Sequence, residues 1–448
     1  MQRAVTAAIL RRAAGPETGA CDDSWMGLAF QAKPLATAIL IAIAPSCAGA
    51  PAPGTGSWRA WLDSPGGQLP FGMELTRHGD DWNAVILNGP ERIELPEVTV
   101  GGGRLELNIP HYDARIYAAI RGRGDRLDGE WTKRTGPDAW SRLGFHADRG
   151  ELFRFLPLRD AGGPTTGGGA VPPPPAGWVA GRWRVQFSKS EDEAVAVFEE
   201  GPEGSVTGTF LTTTGDYRFL AGSVERGRLR LSAFDGAHAF LFDARLAGDG
   251  ALTGRFWSRD SWNETWTAVP DANAALADPF GLTAWVDGVD LDDLVFYDLA
   301  GSPRSLGDPE LAEGPLLIEL FGSWCPNCGD AAAYLSGLHR RYADRGLSIV
   351  GLAFEISGDR ERDTRLVRAY AERHGIEFPL LMAGLSDKSK ASEAFPAVDR
   401  VRAFPTMVFI DREGTVRAVH TGFAGPATGD EFRRQSERIE TLIEELVE

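Results

Sequence analysis

Short alternations of apolar and polar residues fill residues 51–270. The alternating runs recur about every 8–12 residues between glycine-rich turns, which is typical of antiparallel barrels and sandwiches. Pairing of each strand with its sequence neighbour predicts a small lipocalin-like barrel, closed or nearly so, with a jelly roll or open sandwich as the alternative. The clearest candidate strands are 182–188, 194–199, 204–211, 218–224, 228–233, 237–245, 251–258 and 264–269.

This strand pattern occurs twice, at an offset of about 124 residues, which predicts an internal duplication. Residues 103–107 read Gly-Arg-Leu-Glu-Leu, and residues 227–231 read Gly-Arg-Leu-Arg-Leu. Trp58 and Trp183 correspond in the same way. The predicted parts are therefore a β domain at 51–160, a Gly/Pro-rich linker at 161–177 and a second β domain at 178–270.

The pattern changes after residue 270 to one in which strands and helices alternate. The apolar run 316–321 predicts a buried strand, and apolar residues at helical spacing follow it. Further elements are expected at 347–352, 360–374 and 404–411. We therefore expect a linker at 271–284 and an α/β domain at 285–448.

The sequence Trp-Cys-Pro-Asn-Cys at residues 324–328 lies between that strand and the helix. A cysteine at a helix N-terminus has a lowered pKa, because the helix dipole stabilises its thiolate, so Cys325 is the expected nucleophile. Cys328, one turn further on, is placed to attack a mixed disulfide and release the partner. The alternatives are a structural disulfide and half of a zinc site, but the only other cysteines are Cys21 and Cys47 near the N-terminus.

Together with the Phe-Pro-Thr sequence at 404–406, these elements resemble the thioredoxin superfamily. The resemblance is greatest to TlpA-like periplasmic thiol-disulfide oxidoreductases and covers about the last 170 residues. It implies that Pro405 is a cis-proline opposite the cysteine pair, where an ordinary trans proline is the alternative. It also implies that Trp324, Pro326 and Phe404 join Pro405 in contacting the substrate.

Glu319 precedes Cys325 by six residues, where the resemblance implies a buried acid beneath the disulfide. A carboxyl group in a central parallel strand is desolvated, so its pKa rises and it could accept and return the proton of Cys328. The alternative is a glutamate at an exposed edge or facing a water channel. The chain departs from the family at residues 329–333, which read Gly-Asp-Ala-Ala-Ala, so the helix geometry and redox potential are less constrained.

The N-terminus carries an apolar run, residues 34–44, that is too short for a membrane span of about 20 residues. We interpret it as the core of a signal peptide at 26–50, with residues 1–25 as an upstream extension. The alternative is lipidation of Cys47, which would anchor the protein to the membrane. Either route predicts a periplasmic or secreted protein, in which the thiols remaining after cleavage at Ala50 are the reactive pair.

The net charge of −17 argues against nucleic-acid binding, and the seven histidines show no metal-ligand spacing. No cofactor is expected beyond a redox-active disulfide between Cys325 and Cys328. The sequence therefore predicts an exported oxidoreductase that reduces disulfides of protein partners and receives electrons from a membrane donor. The alternative is a ligand- or partner-binding β protein with an accessory or redox-sensing thioredoxin-like domain. The dipeptide Pro326-Asn327 does not fix the direction of the reaction.

Overall fold

The computed structural model describes residues 51–150, 153–158 and 175–448, which belong to one compact unit. The predicted signal peptide, the lipidation site at Cys47 and most of the 161–177 linker lie outside these residues. Within the described ranges, no helix is long and apolar enough to cross a membrane.

The first nine strands form an antiparallel meander that is not fully closed. The strands are β1 (Gly56–Ser64), β2 (Gly67–His78), β3 (Asp81–Asn88), β4 (Glu91–Glu94), β5 (Glu97–Gly101), β6 (Arg104–Ile109), β7 (Ala114–Arg121), β8 (Arg126–Arg134) and β9 (Trp140–Arg149). Their order in the sheet is β4-β3-β2-β1-β9-β8-β7-β6-β5, so β4 and β5 are the two edges. A backbone hydrogen bond from Leu95 N to Ala84 O, 2.9 Å long, extends the pairing of β4 with β3 by one residue.

The next nine strands close into an eight-stranded barrel, with the two-residue strand β13 attached at one side. Closure comes from pairing of β10 with β18 and of β11 with β12. Each predicted strand of this copy overlaps an observed one, and the meander order confirms the barrel over the jelly roll. The strands are β10 (Gly181–Phe187), β11 (Ala194–Glu200), β12 (Ser205–Thr212), β13 (Gly215–Asp216), β14 (Leu220–Glu225), β15 (Arg228–Phe234), β16 (Ala239–Leu246), β17 (Leu252–Ser258) and β18 (Trp262–Pro270).

The two sheets repeat the same local contacts, which supports the predicted duplication. Trp58 in β1 donates from Nε1 to Gly54 O at 3.1 Å, and Trp183 in β10 donates to Val179 O at 2.9 Å. In each case the indole is buried and its acceptor lies four residues earlier in the chain. We call residues 51–158 and 175–270, which contain β1–β18, the β half.

Each sheet has its own hydrophobic core, and the second sheet also contributes side chains of β15 and β16 to the core of the first. Phe234 of β15 is fully buried against the first sheet, with ring centroids 4.5 Å from Phe71 and 5.5 Å from Trp131. The buried amide of Asn88 donates to Phe234 O at 2.7 Å and accepts from Phe234 N at 3.1 Å. These bonds satisfy polar groups that would otherwise be costly to bury.

The C-terminal domain has a mixed seven-stranded sheet in the order β20-β19-β23-β22-β21-β24-β25, confirming the predicted α/β, thioredoxin-like fold. All six residues of the central strand β21 are buried, because neighbours cover both of its faces. The strands are β19 (Val295–Asp298), β20 (Pro303–Ser305), β21 (Leu316–Phe321), β22 (Ser348–Glu355), β23 (Leu380–Leu385), β24 (Thr406–Ile410) and β25 (Val416–Thr421). The helices are α1 (Pro326–Tyr342), α2 (Arg360–His374), α3 (Lys388–Ala394) and α4 (Asp430–Val447).

Candidate redox site

The cysteine pair lies where the chain turns from β21 into α1. Cys325 is the N-cap of α1, and its Sγ accepts a hydrogen bond from Cys328 N at 3.2 Å. Pro326 occupies the first helical position, where a missing N–H costs nothing. Both cysteines are free thiols. The sulfur of Cys325 therefore lies at the positive end of the helix dipole, where it accepts a hydrogen bond from an N–H group that has no partner within the helix.

The second thiol is in a much less polar environment. Cys328 is fully buried, and its pKa is raised well above the ordinary value by burial and by its hydrogen bond to Cys325. The backbone beside it is held by Tyr370, whose hydroxyl donates to Cys328 O at 2.7 Å. Cys328 therefore keeps its proton until a base removes it.

The residues expected to contact substrate do gather around Cys325. The Phe404–Pro405 peptide bond is cis. Cys325 Sγ lies 3.6 Å from Phe404 O, and the Phe404 ring packs edge-on to Trp324 with centroids 6.0 Å apart. Trp324 is anchored by a hydrogen bond from Nε1 to Phe354 O at 2.9 Å.

Glu319 lies in the middle of β21 and not at an exposed edge. It is fully buried, and neither carboxyl oxygen has a hydrogen-bond partner among the residues that the structure describes. Burial alone raises its pKa to about 8. The charge of Glu319 is one of the influences that raise the pKa of Cys328. The Glu319 carboxyl is thus mostly protonated at neutral pH.

A second buried acid, Glu355 at the end of β22, was not predicted from the sequence. Its two oxygens accept hydrogen bonds from Ser323 N and Ser323 Oγ, both at 2.8 Å. Burial raises its pKa to about 8, although the bonds from Ser323 oppose this shift. Glu355 therefore fixes the turn that leads into Cys325. The sequence feature that could have identified Glu355 is an acidic residue at the carboxyl end of a parallel strand next to β21.

The connection between β12 and β14, residues 213–219, lies directly on the cysteine motif. Arg218 donates from Nη1 to Pro326 O at 3.3 Å and forms an ion pair with Asp330. Asn327 donates from Nδ2 to the backbone oxygen of Asp216 at 3.2 Å. Both residues between the cysteines are thus held by the second barrel, through contacts that the sequence analysis missed.

Further hydrogen bonds and ion pairs hold the β half against the α/β domain around the site. The Asp216 carboxylate accepts from Gly425 N at 2.6 Å, and Arg218 pairs with Glu91 of the first sheet at 2.6 Å. Asp113 of the first sheet forms an ion pair with Arg362 of α2. With the β half in this position, only 6% of Cys325 is exposed. The β half is therefore a cover on the redox site in this conformation.

No group of three or more potential metal ligands occurs in the part of the chain that the structure describes. The titratable groups described above for the site are its two thiols and the two buried carboxyl groups of Glu319 and Glu355.

Residues 291–419 match the AhpC/TSA family. The thioredoxin-like protein YneN of Bacillus subtilis is 27% identical over 137 residues, 30% of this chain and 72% of that protein. The thiol-disulfide oxidoreductase ResA of Halalkalibacterium halodurans is 24% identical over 138 residues, 31% of this chain and 70% of that protein. A putative thiol:disulfide interchange protein DsbE from Chlorobium tepidum is 19% identical, with a TM-score of 0.28, over 37% of this chain and 100% of that one. The predicted resemblance of the C-terminal domain to thioredoxin-like thiol-disulfide oxidoreductases is thereby confirmed.

Proposed function

We propose that this protein reduces disulfides of extracytoplasmic protein partners through a dithiol–disulfide cycle of Cys325 and Cys328. The observation that carries the proposal is the placement of Cys325 Sγ at the N-terminus of α1, within 3.2 Å of Cys328 N. The Cys325 sulfur lies at the N-terminus of α1, where the positive end of the helix dipole can stabilise negative charge, whereas burial raises the pKa of Cys328. Such a division of roles suits an attacking and a resolving thiol.

The reaction has two balanced steps. The Cys325 thiolate attacks one sulfur of the partner's disulfide, forming a mixed disulfide and releasing the other sulfur as a thiolate, which takes up a proton. Cys328 then loses its proton, and its thiolate attacks the Cys325 sulfur. This step forms the Cys325–Cys328 disulfide and releases the second partner thiol. Two electrons pass to the partner, and a membrane electron donor restores the dithiol.

Glu319 is the proposed proton acceptor for the second step. With a pKa of about 8 it is mostly protonated at neutral pH, and its ionised fraction is the form that accepts the proton of Cys328 and later returns it. Neither of its oxygens has a hydrogen-bond partner among the described residues. Trp324, Pro326, Phe404 and Pro405 form the proposed binding surface for the partner. The backbone before Pro405 is available to pair with an extended segment that carries the disulfide.

The proposal includes export of the protein, directed by the apolar segment 34–44 as the core of a signal peptide. The alternative is lipidation of Cys47, which would anchor the exported protein to the membrane. Export is supported by the cysteine distribution, since cleavage at Ala50 leaves only the reactive pair. N-terminal sequencing of the mature protein from an expressing bacterium tests it. An N-terminus at or before residue 26 in protein recovered from the cytoplasm would contradict export.

A ligand-binding role for the barrel interior has less support. The Phe210 and Phe242 rings stack with centroids 4.5 Å apart, and Trp266 packs edge-on to Phe210 at 5.2 Å. All three side chains are buried, so they fill the inside of the closed barrel. The observed contacts of the β half instead connect it with the redox site.

Trapping of partners tests the proposal directly. Cys328→Ser should accumulate mixed disulfides on Cys325, because no second thiol remains to resolve them. The adducts should be released by dithiothreitol and should be absent from the double variant Cys325→Ser, Cys328→Ser. Absence of adducts in the Cys328→Ser variant, or equal capture by the double variant, would contradict the proposed cycle.

A further inference from the structure

The β half places one arginine side chain on the cysteine motif. Arg218, in the connection between β12 and β14, donates from Nη1 to Pro326 O at 3.3 Å and to the carboxylate of Asp330. Pro326 follows Cys325 directly, and Asp330 lies four residues further on in α1. Only 10% of the Arg218 side chain and 18% of the Asp330 side chain are exposed. The α/β domain therefore has a binding site for a guanidinium group beside its reactive cysteines, and the chain's own Arg218 fills it.

The same segment makes a second contact with the motif. Asn327, which is 8% exposed, donates from Nδ2 to the backbone oxygen of Asp216 at 3.2 Å. Asp216 precedes Arg218 by two residues. The motif and α1 thus bind a main-chain oxygen and, two residues later in the chain, a cationic side chain. Neither group is peculiar to the β half, because any polypeptide with a basic residue can present both.

The backbone at Arg218 is held in an uncommon conformation. Its φ is 59°, in the left-handed region that disfavours residues with a Cβ atom. The N–H of Arg218 donates to Asp216 Oδ1 at 2.6 Å, and the other oxygen of that carboxylate accepts from Gly425 N. These bonds keep the segment in the turn that brings the guanidinium to Asp330. Several parts of the fold therefore contribute to this contact.

The pairing of charges between the two parts of the molecule is unequal. Arg218 also pairs with Glu91 at 2.6 Å and lies 3.7 Å from Asp235, and both of these acids belong to the β half. Asp330 forms an ion pair with no cation other than Arg218 in the described ranges. If the β half moves away, Arg218 keeps two acidic partners, whereas Asp330 is left without a cation.

Access of a partner to Cys325 requires that this contact be broken. Only 6% of Cys325 is exposed, so a protein disulfide reaches its sulfur after the β half has moved away. The partner then lies against Pro326 and Asn327, and it covers Asp330 from water in turn. Burial of a carboxylate without a cation is costly, so partners that bring an arginine or a lysine to Asp330 are favoured over those that do not.

We propose that Asp330 is a specificity-determining residue, which selects partner segments with a basic side chain near the disulfide to be reduced. The proposal rests on the function proposed above, and it names the class of substrate: a polypeptide segment in which arginine or lysine accompanies the disulfide. Arg218 holds the same site in the covered conformation, so a partner's basic residue and Arg218 compete for it. The net charge of −17 also attracts basic segments to the protein.

The test follows disulfide exchange with peptides that differ at one position. The protein is the reduced full chain with Cys21→Ser and Cys47→Ser, so that Cys325 and Cys328 are its only thiols. Each peptide has one cysteine joined to thionitrobenzoate, and arginine, alanine or glutamate at successive positions on either side of it. Release of thionitrobenzoate gives the second-order rate constant. At one or more positions the arginine peptide should react at least about tenfold faster than the alanine peptide, and the glutamate peptide more slowly than either.

Variants of Asp330 separate recognition from other effects of charge. Asp330→Asn should remove most of the advantage of arginine over alanine, and Asp330→Lys should make the glutamate peptide the faster one. Comparing peptides on one protein cancels any change in how readily the β half opens. Asp344→Asn, which removes an exposed carboxylate after the end of α1, is the matched control and should keep the wild-type ratio. If Asp330→Asn loses its native circular dichroism, Asp330→Ser replaces it.

Peptide binding without exchange is the second measurement. Fluorescence anisotropy is followed for the same peptides with serine in place of cysteine, added to Arg218→Ala, in which the competing guanidinium is absent. The arginine peptide should bind at least about tenfold more tightly than the alanine peptide, and Asp330→Asn in this background should abolish the difference. Equal binding of the two peptides, or an arginine advantage in exchange that Asp330→Asn leaves intact, would overturn the proposal. A protein that binds these peptides selectively but releases no thionitrobenzoate would contradict the reductase function alone.

Discussion

Replacement of Glu319 by glutamine should stabilise the α/β domain at alkaline pH but much less at acid pH. The carboxyl group is fully buried, lacks hydrogen-bond partners and has a pKa of about 8. In the unfolded chain it returns to about 4.3. Between these values the folded protein keeps a proton that the unfolded chain has lost, so the unfolding free energy falls as pH rises.

The magnitude follows from the separation of the two pKa values. Each pH unit between them lowers the unfolding free energy by about 1.4 kcal/mol. From about pH 5 to about pH 8 the wild-type protein therefore loses about 3–4 kcal/mol through this one group, since the carboxyl is half ionised at the upper limit. Glutamine has the same size and does not titrate, so the unfolding free energy of Glu319→Gln does not fall in this way between the two pH values. The cost of burying its amide is equal at both pH values and cancels in the difference.

The assay is urea unfolding of the reduced protein at both pH values, followed by far-ultraviolet circular dichroism. The α-helices of the described structure all lie in the α/β domain, so the helical signal reports that domain. The control is Glu313→Gln, which removes an exposed carboxylate just before β21. An advantage of Glu319→Gln over wild type that does not grow between the two pH values would refute the reasoning.

Two further predictions concern the cover. Arg218→Ala removes the ion pair with Asp330 and the bond to Pro326 O. Conformations in which the β half has moved away from Cys325 should then be more populated. We therefore expect Cys325 to react at least about tenfold faster with a bulky polyethylene glycol maleimide. Arg255→Ala, at an exposed position of the same barrel, should leave the rate unchanged, and an equal rate in both variants would contradict the covering role. Phe234→Ala should destabilise the β half by about 3–5 kcal/mol in urea, monitored by tryptophan fluorescence, because its ring fills the core shared by both sheets. A loss below about 1 kcal/mol would show that the sheets do not depend on this contact.

Local patterns in the sequence predicted the strands of the second barrel and the elements of the α/β domain around the cysteine motif. Alternation with a period of two identified the strands of the second barrel, because each one has a face toward the core and a face toward solvent. The cysteine motif was predictable because its chemistry depends on a strand–helix junction that the neighbouring apolar run 316–321 already indicates. The burial of the Glu319 carboxyl was predictable because this residue lies within that apolar run.

Contacts between distant segments were not predictable in this way. Arg218 is 108 residues from Pro326 in the chain, and neither residue carries a local signal for the other. Glu355 was not identified from the sequence because it acts by holding the turn at Ser323. The two residues are distant in the chain and meet only in the folded sheet. The covering of the site therefore depends on the relative placement of domains and not on any single motif.

The most direct test of the central claim is reduction of insulin disulfides by the protein without its N-terminal fifty residues, with dithiothreitol as the electron source. Wild type should accelerate the reduction, and Cys325→Ser should reduce it to the rate of dithiothreitol alone, because the attacking sulfur is gone. Loss of activity in Cys325→Ser with unchanged circular dichroism is the result that we predict. Equal activity of Cys325→Ser and wild type would contradict the account.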